Sequence, residues 1–247
     1  MKLLIDGDLI AYRCASSCEP TKIKPEREPL VSALSRTDEL IYRILLRCAT
    51  EEHRVFLSSS ENFRKTLDPN YKANRTQPKP EYLDACRNLL VEEWGAEICT
   101  GYEADDGIGI AADGAFIICT IDKDLRQIPG THYNFVKDEI TEVDSWNAIR
   151  NFWNQMLTGD SSDNVIGIRG IGPVRAERIL SGVHPQDMEA VVHDCYRSAD
   201  RSDESFIANY RLLRIIRSVE ELNEIEICIR EGQRPQLTEA CRFHYTE

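Results

Sequence analysis

The stretch Lys2-Leu3-Leu4-Ile5-Asp6 is a short apolar run that ends in an acid. Short apolar runs bounded by polar residues are typical of buried strands. The pattern returns at residues 115–120, an apolar and partly β-branched run that is followed by Asp122 and Asp124. We therefore predict two buried strands that carry carboxylates at their ends.

Strand and helix patterns alternate between these two runs. Apolar residues at helical spacing indicate helices, and short apolar runs indicate further strands. A proline-broken, basic segment at 60–80 is predicted as a loop or mobile segment. The alternation predicts an α/β fold with a mostly parallel sheet and flanking helices. The predicted helices are 30–49, 82–94 and 103–112, and the predicted strands are 54–58 and 96–99.

The strand signals fade after about residue 144. We predict helices over 145–157, 188–197 and 206–222, and one weak strand at 225–229. The chain is therefore divided into an α/β core, 1–143, and a helical region, 144–247.

Acidic residues follow several of the predicted strands or lie in nearby loops. The carboxyl ends of parallel strands meet at one edge of a sheet, where such folds bind ligands. Crowded carboxylates repel one another unless they are protonated or bound to cations, and all-oxygen ligand sets favour Mg²⁺ or Mn²⁺. The predicted metal ligands are Asp6, Glu103, Asp105, Asp106, Asp122, Asp124, Asp160 and Asp163.

Each acidic group also has a simpler explanation when it is taken alone. Asp6 could be a turn residue, the acids at 103–106 could complement a helix dipole, and Asp160 and Asp163 could cap helices. Asp122 and Asp124 could lie in a solvated turn. Their joint occurrence at strand ends and in loops favours a metal site.

The net charge of −12 at first argues against a nucleic-acid partner. The eight acids above account for two-thirds of it, and bound metal would neutralise part of that charge. No apolar run reaches the roughly 20 residues of a membrane span, and no signal peptide is evident. The nine scattered cysteines match no zinc motif, so we expect reduced thiols and a cytoplasmic protein.

The stretch Ile168-Arg169-Gly170-Ile171-Gly172-Pro173-Val174-Arg175-Ala176-Glu177-Arg178-Ile179-Leu180 has the form of a helix–hairpin–helix. Gly170 and Gly172 would let the backbone approach a DNA phosphate, and the amides that open the next helix would donate to its oxygens. Arg175 and Arg178 add positive charge. The alternative is a tight turn between two core helices.

The segment Tyr71-Lys72-Ala73-Asn74-Arg75, with Arg64 and Lys65 nearby, combines cations with an aromatic ring. This combination suits a single nucleic-acid strand, because cations follow the phosphates while an aromatic ring stacks on a base. A solvated basic loop is the alternative.

Together these motifs resemble the 5′-nuclease (flap endonuclease) superfamily, and within it the 5′→3′ exonucleases of bacteriophages and the 5′-nuclease domain of bacterial DNA polymerase I. The similarity spans residues 5 to about 180, in the family's order. The stretches that carry it are Ile5-Asp6-Gly7, Asp68-Pro69-Asn70-Tyr71-Lys72-Ala73-Asn74-Arg75, Glu103-Ala104-Asp105-Asp106, Asp122-Lys123-Asp124 and Gly159-Asp160-Ser161-Ser162-Asp163-Asn164.

The resemblance implies a Rossmann-like (PIN-like) core, a helical arch at about 60–95 and a C-terminal helix–hairpin–helix subdomain. It implies a metal-dependent 5′→3′ exonuclease and flap endonuclease that cuts DNA by a two-metal mechanism in replication, repair or recombination. Lys72 and Arg75 would stabilise charge on the scissile phosphate, and Tyr71 would stack on an unpaired base. A K⁺ ion at the hairpin and a monomer are also expected, in the host cytoplasm if the chain is phage-encoded.

The sequence departs from the family at one place. An aspartate usually follows the second strand, whereas this chain has Ser58-Ser59-Ser60, with Ser59 as its expected equivalent. A branched-DNA-binding relative without catalysis is therefore an alternative function, and a PIN-like ribonuclease is another. The balance of exonuclease and endonuclease action, and the cutting of RNA in RNA–DNA hybrids, stay open.

Overall fold

The structure is a computed structural model that describes residues 1–232. Contacts between Cα atoms divide it into two compact units. The sheet unit comprises Met1–Glu61, Gln77–Asp122 and Gly130–Glu142. The helical unit comprises Asn62–Thr76, Lys123–Pro129 and residues 143–232.

The strands and helices have the following bounds. The strands are β1 (Lys2–Asp6), β2 (His53–Asn62), β3 (Glu97–Gly101), β4 (Phe116–Cys119), β5 (Gly130–Asn134), β6 (Glu139–Val143), β7 (Gly159–Asp160) and β8 (Val165–Ile166). The helices are α1 (Gly7–Ser16), α2 (Leu30–Cys48), α3 (Phe63–Leu67), α4 (Leu83–Trp94), α5 (Ala104–Ala111), α6 (Ser145–Thr158), α7 (Pro173–Leu180), α8 (Pro185–Ser198), α9 (Asp203–Leu213) and α10 (Val219–Arg230).

The sheet unit contains a six-stranded sheet in the order β3-β2-β1-β4-β5-β6. Strand β1 runs parallel to β2 and β4, and β4 runs parallel to β5. The predicted α/β fold with a mostly parallel sheet is thereby confirmed. Because β1 and β4 are parallel neighbours, their carboxyl ends lie side by side.

The core of the sheet unit forms where apolar residues of the strands meet α1, α2 and α4. Ile5, Ile10 and Ile44 are completely buried in it. Gly7 fixes the step from β1 into α1, because a Cβ atom at this position would lie 2.7 Å from the carbonyl oxygen of Phe56 on β2. The close approach of β2 therefore requires glycine directly after Asp6.

The helical unit is built around α6, whose Phe152, Trp153 and Met156 are completely buried. Helices α7, α8 and α9 pack around α6. Tyr196 on α8 donates its hydroxyl to the carbonyl oxygen of Met156 at 2.8 Å. Neighbouring aromatic rings pack edge to face, as with Phe152 and Tyr210.

Two predictions for the C-terminal part were wrong. The helix predicted over 206–222 is two helices, α9 and α10, because Ser218 starts a new helix by accepting a hydrogen bond from the Glu221 amide at 3.1 Å. The strand predicted at 225–229 lies inside α10. Its alternating pattern was outweighed by the capped helix around it.

The single boundary predicted at residue 143/144 also needs correction, because Asn62–Thr76 and Lys123–Pro129 belong to the helical unit. The predicted loop at 60–80 contains the short helix α3. Its Arg64 side chain donates to the carbonyl oxygens of Leu212 and Arg214, which joins the segment to the helical unit.

Two further observations concern the hydropathy of the helices and the cysteines. None of the helices in residues 1–232 is long and apolar enough to cross a membrane. The eight cysteines of this part of the chain are free thiols, and Cys241 lies outside the described residues.

Candidate active site

The sheet unit gathers acids around Asp6, at the carboxyl end of β1. One carboxylate oxygen of Asp6 accepts a hydrogen bond from the Leu9 amide at 3.1 Å and thereby caps α1. The other accepts from the Thr120 hydroxyl at 2.8 Å. The Thr120 oxygen also accepts from the Asp122 amide at 3.0 Å. Thr120, which sequence reasoning missed, thus connects the ends of β1 and β4.

Burial and neighbouring acids disfavour the charged form of Asp6. The residue is 2% exposed. Loss of solvent raises its pKa first, and the negative charges of Asp8 and Asp122 raise it further. The hydrogen bonds from Leu9 and Thr120 act in the opposite direction but do not compensate, so the pKa of Asp6 rises from 3.8 to about 7. A positive charge at this place would relieve the repulsion.

A second acid of this group, Asp8, was not predicted as a site residue. Its carboxylate forms an ion pair with Arg87 and accepts from the Ser58 amide at 2.9 Å. The Ser58 hydroxyl accepts from the Ala104 amide at 2.8 Å, which opens α5. Ser58 therefore connects Asp8 to α5, while the Ser59 hydroxyl bonds to the backbone of Glu61 within β2.

The motif at 103–106 forms the first turn of α5, with Glu103 as its N-cap. Asp106 is completely buried, and its carboxylate accepts from the Glu103 amide at 3.1 Å. This corrects the prediction of Asp106 as a metal ligand, because its carboxylate closes a capping box inside the protein. Asp105 is half-buried in the same turn.

The acids of the described residues do not already surround a single metal position. Within residues 1–232, no three His, Cys, Asp or Glu side chains are arranged so that they could hold one metal ion. The predicted convergence of the acids is realised in the sheet unit for Asp6 and Asp122, which are close enough for charge repulsion.

The helical unit carries a second acidic group, in the turn between β7 and β8. Asp160 is 3% exposed and contacts Lys123 Nζ at 3.4 Å and the Gln155 amide at 3.0 Å. Burial acts to raise the pKa of Asp160, but Lys123 and the hydrogen bonds from Ser162 and Gln155 outweigh it, so the pKa lies below 3.8. Lys123 also lies 3.8 Å from Asp124.

Asp163, in the same turn, receives three side chains of the basic segment. Its Oδ1 atom accepts from Arg75 Nη2 at 2.6 Å. Its Oδ2 atom accepts from the Tyr71 hydroxyl at 2.8 Å and lies 3.6 Å from Lys72 Nζ. The predicted catalytic cations Lys72 and Arg75 are thus brought together on one carboxylate.

Two predictions for the basic segment need correction. The Tyr71 ring is 3% exposed and packs in the core of the helical unit, so it is not available to stack on a base. Arg64 is 2% exposed and donates to backbone carbonyls, so it does not follow a phosphate chain. Lys65 is exposed. The sequence pattern showed the charge and the ring but not their burial.

The predicted helix–hairpin–helix is resolved as a turn that leads into α7. Gly170 has a left-handed backbone, with φ of +82°, and Gly172 is the N-cap of α7. A Cβ atom at Gly172 would meet nothing within 4 Å. Arg175 and Arg178 are exposed on α7. No helix lies between Thr158 and Pro173, so the helix before the turn is α6.

Residues 1–154 match the model of the 5′-3′ exonuclease, N-terminal resolvase-like domain. The chain belongs to this 5′-3′ exonuclease family. The predicted resemblance to 5′-nucleases is thereby confirmed.

Relatives of this exonuclease-family chain include larger and similar-sized proteins. A DNA polymerase I of Rhizobium leguminosarum is 34% identical over 205 residues, which are 72% of this chain and 20% of that protein. The chain therefore spans about a fifth of such a polymerase. A 5′-3′ exonuclease of Mycoplasma pneumoniae is 29% identical over 211 residues, covering 72% of this chain and 70% of the relative.

Solved structures share the fold. The T5 D15 protein, co-crystallized with metal ions, matches with a TM-score of 0.65 at 15% identity, over 94% of both chains. Flap endonuclease-1 from Methanococcus jannaschii matches with a TM-score of 0.55 at 12% identity, over 93% of this chain and 86% of its own.

Proposed function

We propose that this exonuclease-family chain is a metal-dependent 5′→3′ exonuclease and flap endonuclease that hydrolyses DNA phosphodiester bonds. The buried Asp6 carboxyl carries the proposal, because burial and then the charges of Asp8 and Asp122 raise its pKa to about 7. Burying a destabilised carboxylate is costly unless a ligand uses it. A role in DNA replication, repair or recombination agrees with the polymerase relatives.

The donor set of the sheet unit fits a divalent cation. Its carboxylates offer only oxygen, the donor preferred by Mg²⁺ and Mn²⁺, and a cation would relieve the repulsion at Asp6. Two or more bound ions would supply a water of lowered pKa and stabilise the leaving 3′ oxygen. The residues that would hold ions are Asp6, Glu103, Asp105 and Asp122 in the sheet unit, and Asp124, Asp160 and Asp163 in the helical unit.

Lys72 and Arg75 supply the positive charge that a scissile phosphate requires. Both lie within contact distance of a carboxylate, so their donors already converge on one anionic group. Charge that builds on the phosphate during hydrolysis is stabilised by donors fixed in advance. The product strand would carry a 5′-phosphate.

The turn that leads into α7 suits a duplex phosphate backbone. The open space at Gly172 and the amides at the start of α7 permit close approach of a phosphate, and Arg175 and Arg178 add charge without reading sequence. A K⁺ ion at this turn is part of the proposal. A T5 flap endonuclease of the same fold, TM-score 0.62, is described in complex with DNA and metal ions.

The function is tested by cleavage of end-labelled DNA that carries a 5′ flap, a blunt end or a nick, with Mg²⁺ and with EDTA. We expect Mg²⁺-dependent release of 5′ fragments from the flap substrate. A matched RNA–DNA hybrid tests whether RNA is cut. Absence of cleavage with Mg²⁺ and with Mn²⁺ would refute the nuclease proposal.

A branched-DNA-binding protein without catalysis is the second candidate. It is favoured by one observation, that Ser59 stands where the family usually has an aspartate. Flap binding in EDTA that persists while Mg²⁺ stimulates no cutting would support this candidate.

A further inference from the structure

Arg201, between α8 and α9, binds the backbone where the chain enters the turn that leads into α7. Its Nη1 atom donates to the carbonyl oxygens of Ile166 and Gly167, at 2.8 and 2.7 Å. These two residues directly precede residues 168–172, which form the turn. Arg201 therefore fixes the backbone immediately before the two glycines of the turn.

The guanidinium of Arg201 is itself held in place. Its Nε and Nη2 atoms donate to the Ser205 hydroxyl oxygen at 2.9 and 2.6 Å. Its Cζ atom lies 5.1 Å from the ring centre of Tyr196, a distance at which an aromatic face attracts a cation. A planar guanidinium with five donors can bind all of these partners at once, whereas a lysine ammonium does not have this geometry.

A second side chain, Asn209 on α9, binds the same part of the backbone. Its amide donates to the carbonyl oxygen of Ile166 and to the hydroxyl oxygen of Tyr196, both at 2.8 Å. The Tyr196 hydroxyl donates in turn to Met156 on α6. Asn209 and Tyr196 are buried, so these bonds are shielded from water. They connect the entry of the turn to three helices, α6, α8 and α9.

The entry of the turn also lies directly against the end of α6. A Cβ atom at Gly167 would lie 2.2 Å from the carbonyl carbon of Thr158, so the close contact requires glycine. The Ile168 amide donates to the carbonyl oxygen of Leu157 at 2.8 Å. The backbone before the turn is thus fixed on its amide side by α6 and on its carbonyl side by Arg201 and Asn209.

The turn exposes the groups that the proposed function assigns to DNA. Gly170 and Gly172 are exposed, whereas Ile168 and Ile171 are buried. Backbone amides bind a phosphate only when they point at it, so their affinity depends on how well the turn is held beforehand. The half-buried Arg201 contacts the turn at its entry and acts on a phosphate through the backbone.

We propose that Arg201 is a positioning residue for DNA binding, which holds the turn that leads into α7 in the geometry that a duplex phosphate requires. The inference rests on the proposed function, because it concerns how the duplex-binding turn of that function is kept in place. A protein that loses the Arg201 guanidinium keeps its metal-binding acids and its exposed arginines but binds duplex DNA more weakly.

The test is the affinity of Arg201→Lys for a fluorescent DNA duplex, measured in EDTA. Lysine keeps the positive charge but loses the paired donors, so binding should weaken about threefold to tenfold. The slope of log Kd against log[salt] should not change, because no phosphate contact is lost. Arg197→Lys is the matched control and should bind as wild type does, since Arg197 is an exposed arginine of α8 that lies 3.5 Å from Asp203.

Ser205→Ala is the second variant. It removes the hydroxyl group that holds the guanidinium and leaves Arg201 itself in place, so binding should weaken about twofold. Unchanged affinity in Arg201→Lys would overturn the inference. If Arg201→Lys does not fold, unchanged affinity in Ser205→Ala overturns it instead.

A double-mutant cycle with Gly172→Ala separates positioning of the turn from a general loss of stability. If Arg201 acts through the turn, the two substitutions remove the same phosphate contact. The double variant should then bind more tightly than the product of the two separate losses predicts. Losses that multiply would show that Arg201 and the turn act independently, which contradicts the inference.

Single-turnover cleavage of a 5′ flap in Mg²⁺ gives the last measurement. Arg201→Lys should need more enzyme for half-maximal rate and should keep the wild-type maximal rate. A lower maximal rate at unchanged half-saturation would overturn the inference. If wild type binds the duplex but cuts no DNA, the proposed nuclease fails while the affinity assay still decides the role of Arg201. If wild type binds no duplex, the inference fails whatever the protein cuts.

Discussion

The two acidic groups contain the same chemical groups in opposite electrostatic surroundings. In the sheet unit, Asp6 is buried beside other acids and accepts only from the neutral Leu9 amide and Thr120 hydroxyl, and its pKa rises to about 7. In the helical unit, Asp160 has Lys123 beside it, and its pKa falls. Asp163 contacts two cations.

The two groups therefore differ in the charges that lie beside their acids. In the sheet unit Arg87 neutralises Asp8, but the repulsion at Asp6 is of a kind that a divalent cation can relieve. In the helical unit, lysine and arginine side chains lie beside the acids Asp160 and Asp163. A count of carboxylates in the sequence treats both groups alike. Their contacts in the structure separate the two groups, because the pKa of Asp6 is raised and that of Asp160 is lowered.

The largest expected effect is on turnover. Asp122→Asn removes a charge from the sheet-unit group and should lower single-turnover cleavage of a 5′ flap by about 10²-fold or more. The Asp122 amide still bonds to Thr120, so circular dichroism and the melting temperature should stay close to wild type. Cleavage at the wild-type rate would show that the carboxylate of Asp122 is not part of the metal site.

Lys72→Ala should lower turnover by about 10²-fold as well, because the scissile phosphate loses a fixed positive charge. The same flap assay measures it, and the half-saturating Mg²⁺ concentration should not change. Wild-type turnover by a folded Lys72→Ala variant would show that Lys72 does not stabilise charge on the scissile phosphate.

Asp6→Asn tests, through the free energy of unfolding, whether the charge of Asp6 destabilises the folded protein. The folded pKa of about 7 lies above the ordinary 3.8, so the stability linked to Asp6 is complete below 3.8 and is lost as pH rises through 7. Without metal, the variant should therefore be more stable than wild type at pH 8, by about 1–3 kcal/mol. Asparagine keeps the cap on α1.

Urea unfolding in EDTA at pH 5 and pH 8 measures this difference. The advantage of Asp6→Asn should be large at pH 8 and small at pH 5. An advantage that is equal at both pH values would come from packing and not from charge.

Gly172→Ala tests the DNA side of the helical unit with a smaller effect. The backbone of Gly172 accepts alanine and the protein leaves room for a methyl group, so the melting temperature should stay near wild type. A methyl group against a phosphate backbone should weaken duplex binding by about threefold to tenfold. Unchanged binding would remove this turn from the DNA surface.

Lys123→Gln should have the smallest effect. The depressed pKa of Asp160 contributes stability above pH 3.8 that is lost as pH falls through its folded pKa. The Lys123 side chain is 72% exposed, so its part should be below about 1 kcal/mol at pH 7 and vanish near pH 3. Urea unfolding at both pH values measures it.

The sequence predicted correctly those features that a short stretch of residues encodes, such as an acid directly after an apolar run or a glycine directly after a helix. Asp6 and Asp122 follow apolar runs, and parallel neighbours bring such ends together. The helix predicted over 82–94 ends at Gly95, which has a left-handed conformation with φ of +61°. Each of these predictions needed only the residues around its own position together with the rule for parallel strands.

The parts that sequence could not show depend on distant packing. The link from Asp8 to Arg87 requires that α1 and α4 pack together, which no local pattern encodes. Tyr71 and Arg64 look like surface residues in a proline-broken segment, yet the helical unit buries both. Charge and aromaticity are visible in a sequence, whereas their exposure is decided by the fold.

The most direct measurement is Mg²⁺ binding by isothermal titration calorimetry, without DNA, for wild type, Asp6→Asn and Asp194→Asn, which removes an exposed acid outside the proposed site. The account predicts similar Mg²⁺ affinity for wild type and Asp194→Asn, and a loss of about tenfold or more for Asp6→Asn. Equal affinity in Asp6→Asn and wild type would contradict the assignment of cation binding to the acids around Asp6.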